Sequence, residues 1–138
     1  MLAKNGAKVF LGARRSEKLE KIVDDICNQG GTAEFKVVDV TNREDMKAFI
    51  HFANDKFDRI DVIFNNAGVM PLSPINALKV EESDNMINVN IHGVLNGIAA
   101  GLPLMEAQGG SQFINTASIG AHVVGPTAAV YCATKYAV

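Results

Sequence analysis

Tyr131 and Lys135 stand four residues apart in Tyr-Cys-Ala-Thr-Lys. On a helix that spacing puts both side chains on one face. An ammonium beside a phenol favours the phenolate, and a phenol so placed can take and return a proton near neutral pH. A solvated Tyr–Lys pair on a helix surface would show the same spacing, so the pair alone is weak evidence. Four other short stretches gather polar or glycine residues. They are Gly12-Ala13-Arg14-Arg15, Asp39-Val40-Thr41, Asn65-Asn66-Ala67-Gly68 and Thr116-Ala117-Ser118. Each follows an apolar run. Any strand end needs turn residues, but four such ends could also line one crevice. Cys27 and Cys132 supply neither a disulfide framework nor the ligand count of a metal site, and no metal is expected.

The elements that must position these residues alternate along the chain. Lys8–Gly12, Ala33–Val40, Ile60–Phe64 and Gln112–Thr116 read as strands. Leu19, Ile22, Val23 and Ile26 predict a helix from Ser16 to Gln29, with Ser16 as its N-cap and Gly30-Gly31 as its stop. Thr41-Asn42-Arg43-Glu44 fits a capping box that opens a helix carrying Met46, Phe49, Ile50, Ala53 and Phe57 on one face. A long helical stretch runs from about Val80 to Gln108, with a bend expected near Pro103. A last helix starts near Thr127. Helices between successive strands select a parallel sheet covered on both faces. In such a sheet ligands bind beyond the carboxyl ends of the strands, which is where the four polar stretches fall.

Composition agrees with a folded chain. It has 138 residues, 48% apolar and 20% charged, with a net charge of −2. This is too apolar for disorder and too neutral for binding nucleic acid through its phosphates. No apolar run reaches the length of a membrane helix, and Met1–Gly6 lacks the pattern of a signal peptide. A cytoplasmic location is the expectation. No repeat or linker divides residues 1–138, which read as part of one domain.

Asn65-Asn66-Ala67-Gly68, Asn90-Ile91-His92-Gly93, Ser118 and Tyr131-x-x-x-Lys135, in that order on an α/β scaffold, resemble the short-chain dehydrogenase/reductase family. The resemblance extends from Gly6 to Ala137 and points to the ordinary-length branch, in an NADP-preferring bacterial-type subgroup. It implies a Rossmann-like doubly wound parallel sheet and hydride transfer between a nicotinamide and a carbonyl or alcohol. Tyr131 would be the general acid/base, and Ser118 would hold the substrate oxygen. Lys135 would contact the nicotinamide ribose and favour the Tyr131 phenolate. Asn90 would hold a water of the proton relay; Asn88 is the other candidate, and Asn90 is preferred because it sits in Asn-x-x-Gly. Asn66, Ala67 and Gly68 would line the cofactor, and Asp39 with Val40 would contact adenine. Arg14 and Arg15 replace the acidic residue that binds the ribose hydroxyls of NAD. They match a 2′-phosphate, so NADP is expected over NAD.

The resemblance also implies what is missing. The family's first strand, its Thr-Gly-x-x-x-Gly-x-Gly turn and its last strands are not among these residues, so the chain reads as a fragment and Met1 as an internal methionine. In strand order 3-2-1-4-5-6 the missing strand is central. Either strands 8–12 and 60–64 close on each other, or two edges stay open. The alternative function is a catalytically inactive nucleotide-binding remnant. Small alcohols or carbonyls are the expected partners, the full-length protein being a homodimer or homotetramer. The stretch from Gly120 to Pro126 would form a small, mostly apolar pocket wall, and small 3-hydroxy acids are one substrate expectation. Ser83 stands where the family often has an aromatic residue. Asn42 replaces a frequent Asp, with Thr41 and Glu44 expected to keep the cap.

Overall fold

The computed structural model describes residues 1–138. Strands β1 (Lys8–Ala13), β2 (Thr32–Val37), β3 (Val62–Asn65) and β4 (Gln112–Asn115) alternate with helices. The helices are α1 (Ser16–Cys27), α2 (Arg43–Phe57), α3 (Val80–Ile87), α4 (Gly93–Ala107) and α5 (Ala129–Tyr136). The order is the one the periodicity predicts. No helix is long and apolar enough to cross a membrane.

Three local details differ from what the sequence pattern predicts. Helix α1 takes Arg15, not Ser16, as its N-cap, because the Arg15 carbonyl already accepts the Leu19 amide. Helix α2 is capped by Asn42, whose Oδ1 accepts the amides of Glu44 at 2.9 Å and Asp45 at 3.2 Å. Thr41 lies one residue before that cap, and its hydroxyl donates to Asp39 at 2.8 Å instead. The third difference lies in the long helical stretch. It is interrupted by a π segment, Asn88–His92, while Pro103 sits inside continuous α4. Pro103 is on the exposed side of α4. The missing proline amide therefore costs least there, and the irregularity comes where buried Asn90 turns away from the helix to bond Val69.

The sheet is parallel but does not close. Lys8 pairs with Thr32 and Ala13 with Val37, giving one two-stranded sheet. Val62 pairs with Gln112 and Asn65 with Asn115, giving a second. No ladder joins β1 to β3, so of the two arrangements expected the edges stay open. What joins the halves is side-chain packing. Ile50 and Ala53 of α2 meet Ile60, Ile63 and Met105, with Phe10 and Phe113 against them. Phe10 lies 4.8 Å from the Phe49 ring. Gly12 beside it must lack a side chain, since a Cβ would stand 2.6 Å from that ring.

Side chains alternate across a strand. Ile63 and Asn65 therefore face α4, where Gly97 and Gly101 admit them so closely that a Cβ on either glycine would overlap them. The opposite face of the same sheet presents Val62, Phe64 and Ile114 to solvent, with Phe64 59% exposed. Helices thus cover both faces of β1–β2 but one face of β3–β4.

Candidate active site

The site is assembled from the carboxyl ends of the strands and from α5. Its centre is Lys135, which is 6% exposed. Its Nζ donates to the Thr116 carbonyl at 2.7 Å, just beyond β4. No carboxylate forms an ion pair with it. Burying an ammonium normally requires an opposite charge. Here one of three N–H donors is used, on a neutral acceptor, and two remain. Gly68 forms the adjoining floor, where a Cβ would lie 3.7 Å from Lys135 Nζ and 3.4 Å from Asn90 Oδ1. Thr116 also fastens the neighbouring loop, its hydroxyl bonding Asn66 Oδ1 at 3.0 Å.

Asn90 is completely buried. It binds Val69 from both sides. Its Oδ1 accepts the Val69 amide at 2.8 Å and its Nδ2 donates to the Val69 carbonyl at 3.0 Å. The Asn-Asn-Ala-Gly loop is thereby pinned to the π segment. Asn88, the other candidate, is exposed. The two asparagines therefore differ in burial and bonding, and only Asn90 reaches the Asn-Asn-Ala-Gly loop's end at Val69.

Ser118 follows β4 and caps the turn Ile119–Ala121, its Oγ accepting the Gly120 amide at 3.1 Å. The hydroxyl proton is not spent on any group within the chain. Gly120 lies against Tyr131, where a Cβ would stand only 3.1 Å from the ring. Ser118 and Tyr131 thus flank the same glycine, and the Tyr131 hydroxyl makes no hydrogen bond within the chain. The loops are also tied to each other, Ser73 N–H donating to the Thr127 carbonyl at 3.1 Å. His122, on the loop between them, is exposed.

A second group stands at the ends of β1 and β2. Asp39 Oδ1 takes both Thr41 hydrogen bonds, from the amide at 2.9 Å and from the hydroxyl at 2.8 Å. Those bonds, helped by the charge of Arg14 and opposed by partial burial, hold the Asp39 carboxyl below the usual carboxylate range. Its second oxygen makes no hydrogen bond and is free to accept one from an N–H donor. Arg14 and Arg15 are exposed and make no ion pair. Val40 is held in place from α4, where buried Asn96 donates to its carbonyl at 2.9 Å.

The structure thus brings Lys135 and Asn90 to Gly68, ties Asn66 to Thr116, and sets Ser118 and Tyr131 on either side of Gly120, while Asp39 stands with Arg14 and Arg15 beyond β1 and β2. Sequence reasoning marked Thr116 only as part of a strand-end stretch and missed Asn96 and Thr134; all three hold neighbouring groups in place. Thr134 and Asn96 are polar residues in buried helix positions, a signal that needs the fold to be read. No three His, Cys, Asp or Glu side chains converge as a metal site requires.

The short chain dehydrogenase profile matches residues 1–138. An uncharacterized oxidoreductase of Listeria monocytogenes is 51% identical over 138 residues, covering all of this chain and 56% of that protein. One from Staphylococcus saprophyticus is 49% identical, and 55% of it is covered. The chain thus spans about half the length of the curated relatives it matches. Among solved structures, a gluconate 5-dehydrogenase from Burkholderia cenocepacia in complex with NADP and tartrate is similar with a TM-score of 0.92. It is 31% identical, and the match covers 99% of this chain and 53% of that one. A metagenomic short-chain oxidoreductase in complex with NADP gives 0.91 at 32% identity, over 98% of this chain and 62% of the other. From its profile match across every residue and its parallel α/β architecture, the chain belongs to the short chain dehydrogenase family.

Proposed function

We propose that these residues carry the catalytic half of an NADP-dependent oxidoreductase that interconverts a small alcohol and a carbonyl compound. The observation that carries this reading is the buried Lys135 ammonium, held by a single neutral carbonyl beside Tyr131. A protein does not bury such a charge for stability. Two free donors there fit a pair of ribose hydroxyls. The free oxygen of Asp39 fits the exocyclic amine of adenine, and the two exposed arginines fit a 2′-phosphate. NADP-bound relatives of the same fold support the cofactor class.

A nicotinamide cofactor, when bound, supplies or accepts the hydride. The chain's own residues do the rest. Tyr131 gives its hydroxyl proton to the substrate oxygen in reduction and takes it back in oxidation. Ser118 donates a hydrogen bond to that same oxygen and fixes it. Lys135 keeps a positive charge beside the developing phenolate and orients the ribose. Asn90 holds the turn from which a water relays protons to Lys135. Asn66, Ala67 and Gly68 form the floor beside the cofactor, Gly68 keeping it low. Residues 1–138 form one partial Rossmann domain. A cytoplasmic homodimer or homotetramer goes with the reading.

The test is a panel of small alcohols and carbonyls, 3-hydroxy acids included, followed by NADPH absorbance with the protein in the length of its relatives. Turnover should fall about 10²–10⁴-fold in Tyr131→Phe, with cofactor binding retained. Undiminished turnover in that variant would remove Tyr131 from the role.

A further inference from the structure

Thr134 lies between Tyr131 and Lys135 in sequence but on the inner side of α5, and it is 1% exposed. Its hydroxyl does two things at once. It donates to the Tyr131 carbonyl at 2.7 Å, and it accepts from Asn90 Nδ2 at 3.0 Å. Asn90 in turn grips Val69 by amide and carbonyl. The Asn90 amide nitrogen has two protons, and both are spent, one on Val69 and one on Thr134. A continuous chain of bonds therefore runs from the loop behind Gly68, through the π segment, to the backbone of the residue that carries the phenol.

Without the Thr134 oxygen, one proton of a fully buried amide loses its acceptor, and such a group costs its full desolvation. The same amide also holds Val69 by its oxygen and its other proton, so the strain of the unpaired proton loosens the grip on the Val69 loop.

We propose that Thr134 is a positioning residue, coupling the placement of Tyr131 and Lys135 on α5 to the placement of the Asn66–Val69 loop through Asn90. The inference rests on the oxidoreductase reading for its catalytic consequence, but the coupling itself does not. Valine replaces threonine with nearly the same shape and no hydroxyl, and serine keeps the hydroxyl.

Two readouts test it, one without turnover. By amide hydrogen exchange, Thr134→Val should speed exchange at Val69 by about tenfold or more, and Thr134→Ser should restore it. Exchange in β1 and β2 should not change. In the turnover assay, Thr134→Val should lower kcat by about tenfold to a hundredfold and raise KM for NADPH as well, since Lys135 and the cofactor floor both shift, with Thr134→Ser close to the unaltered protein in both. If Thr134→Val does not fold, Thr134→Cys carries the same readouts with a weak hydrogen-bonding group. Unchanged protection at Val69 would overturn the coupling. So would equal loss in the Val and Ser variants, which marks packing rather than the hydroxyl. Loss of protection at Val69 in a protein that turns over nothing would support the coupling and refute the oxidoreductase reading instead.

Discussion

In the proposed function, Arg14, Arg15 and Asp39 divide the labour of recognising one end of a nucleotide. Asp39 spends one oxygen on Thr41 and keeps the other free, while the charge of Arg14 helps keep it ionised. Arg14 therefore has a neighbour that steadies it without neutralising it in a bonded pair. Replacing Arg14 and Arg15 together with alanine should raise KM for NADPH about tenfold or more, the loss of charge-assisted hydrogen bonds to a phosphate. KM for NADH should move little. Equal changes for both cofactors, measured side by side, would remove the arginines from the choice. The candidate residues Tyr131, Lys135, Ser118 and Asp39 stand out in the amino-acid order by their strand-end or helix-face spacing, and the family resemblance supplies the roles proposed for them. Thr134 and Asn96 are not legible. A buried hydroxyl or amide reads as an ordinary polar residue until its partner, 44 residues away for Thr134 and 56 for Asn96, is seen beside it.

Helix α4 shows how an element sets the site from a distance. Gly93, Gly97 and Gly101 recur every fourth residue and share one face. They bring the helix down onto Val40, Asn65 and Ile63 respectively. Asn65 at the centre donates to Asn115 at 2.9 Å, a bond that ties β3 to β4 above their backbone ladder. A methyl at Gly97 would overlap the Asn65 amide oxygen and force that side chain to shift, disturbing its bond to Asn115. Gly97→Ala should therefore destabilise the protein by about 1–3 kcal/mol, as overpacking does, although alanine is the better helix former. Chemical denaturation compares the two directly, and a more stable variant would show that α4 is not held where these contacts put it. The apolar spacing along residues 80–108 is enough to read a helix there. It cannot show the π segment, because one extra residue leaves the apolar character on both sides intact.

At the scale of the molecule, two two-stranded sheets share one apolar core without sharing a ladder. Open parallel edges and a bare sheet face with Val62, Phe64 and Ile114 are costly in water. Residues 1–138 by themselves should therefore unfold with low cooperativity, bind an apolar dye before they unfold, and hold NADPH poorly. A sharp thermal transition by calorimetry together with micromolar NADPH affinity would contradict this. The gap between β1 and β3 follows from the family resemblance, which names a strand between them. Composition cannot reveal it, since an incomplete sheet and a complete one are equally apolar.

The π segment also sets the phase of the two helices it joins. Each residue advances an α-helix by about 100°, so one added residue turns everything after it by that angle. Met86, before the segment, is buried on α3, which packs against α5. Gly97, after it, is buried against β3. An uninterrupted helix could not aim both stretches correctly from this sequence. The irregular turn at Asn88–His92 is thus an indexing step. It lets one polypeptide rod face two different neighbours, and it leaves Asn90 at the pivot with its side chain free to reach Val69.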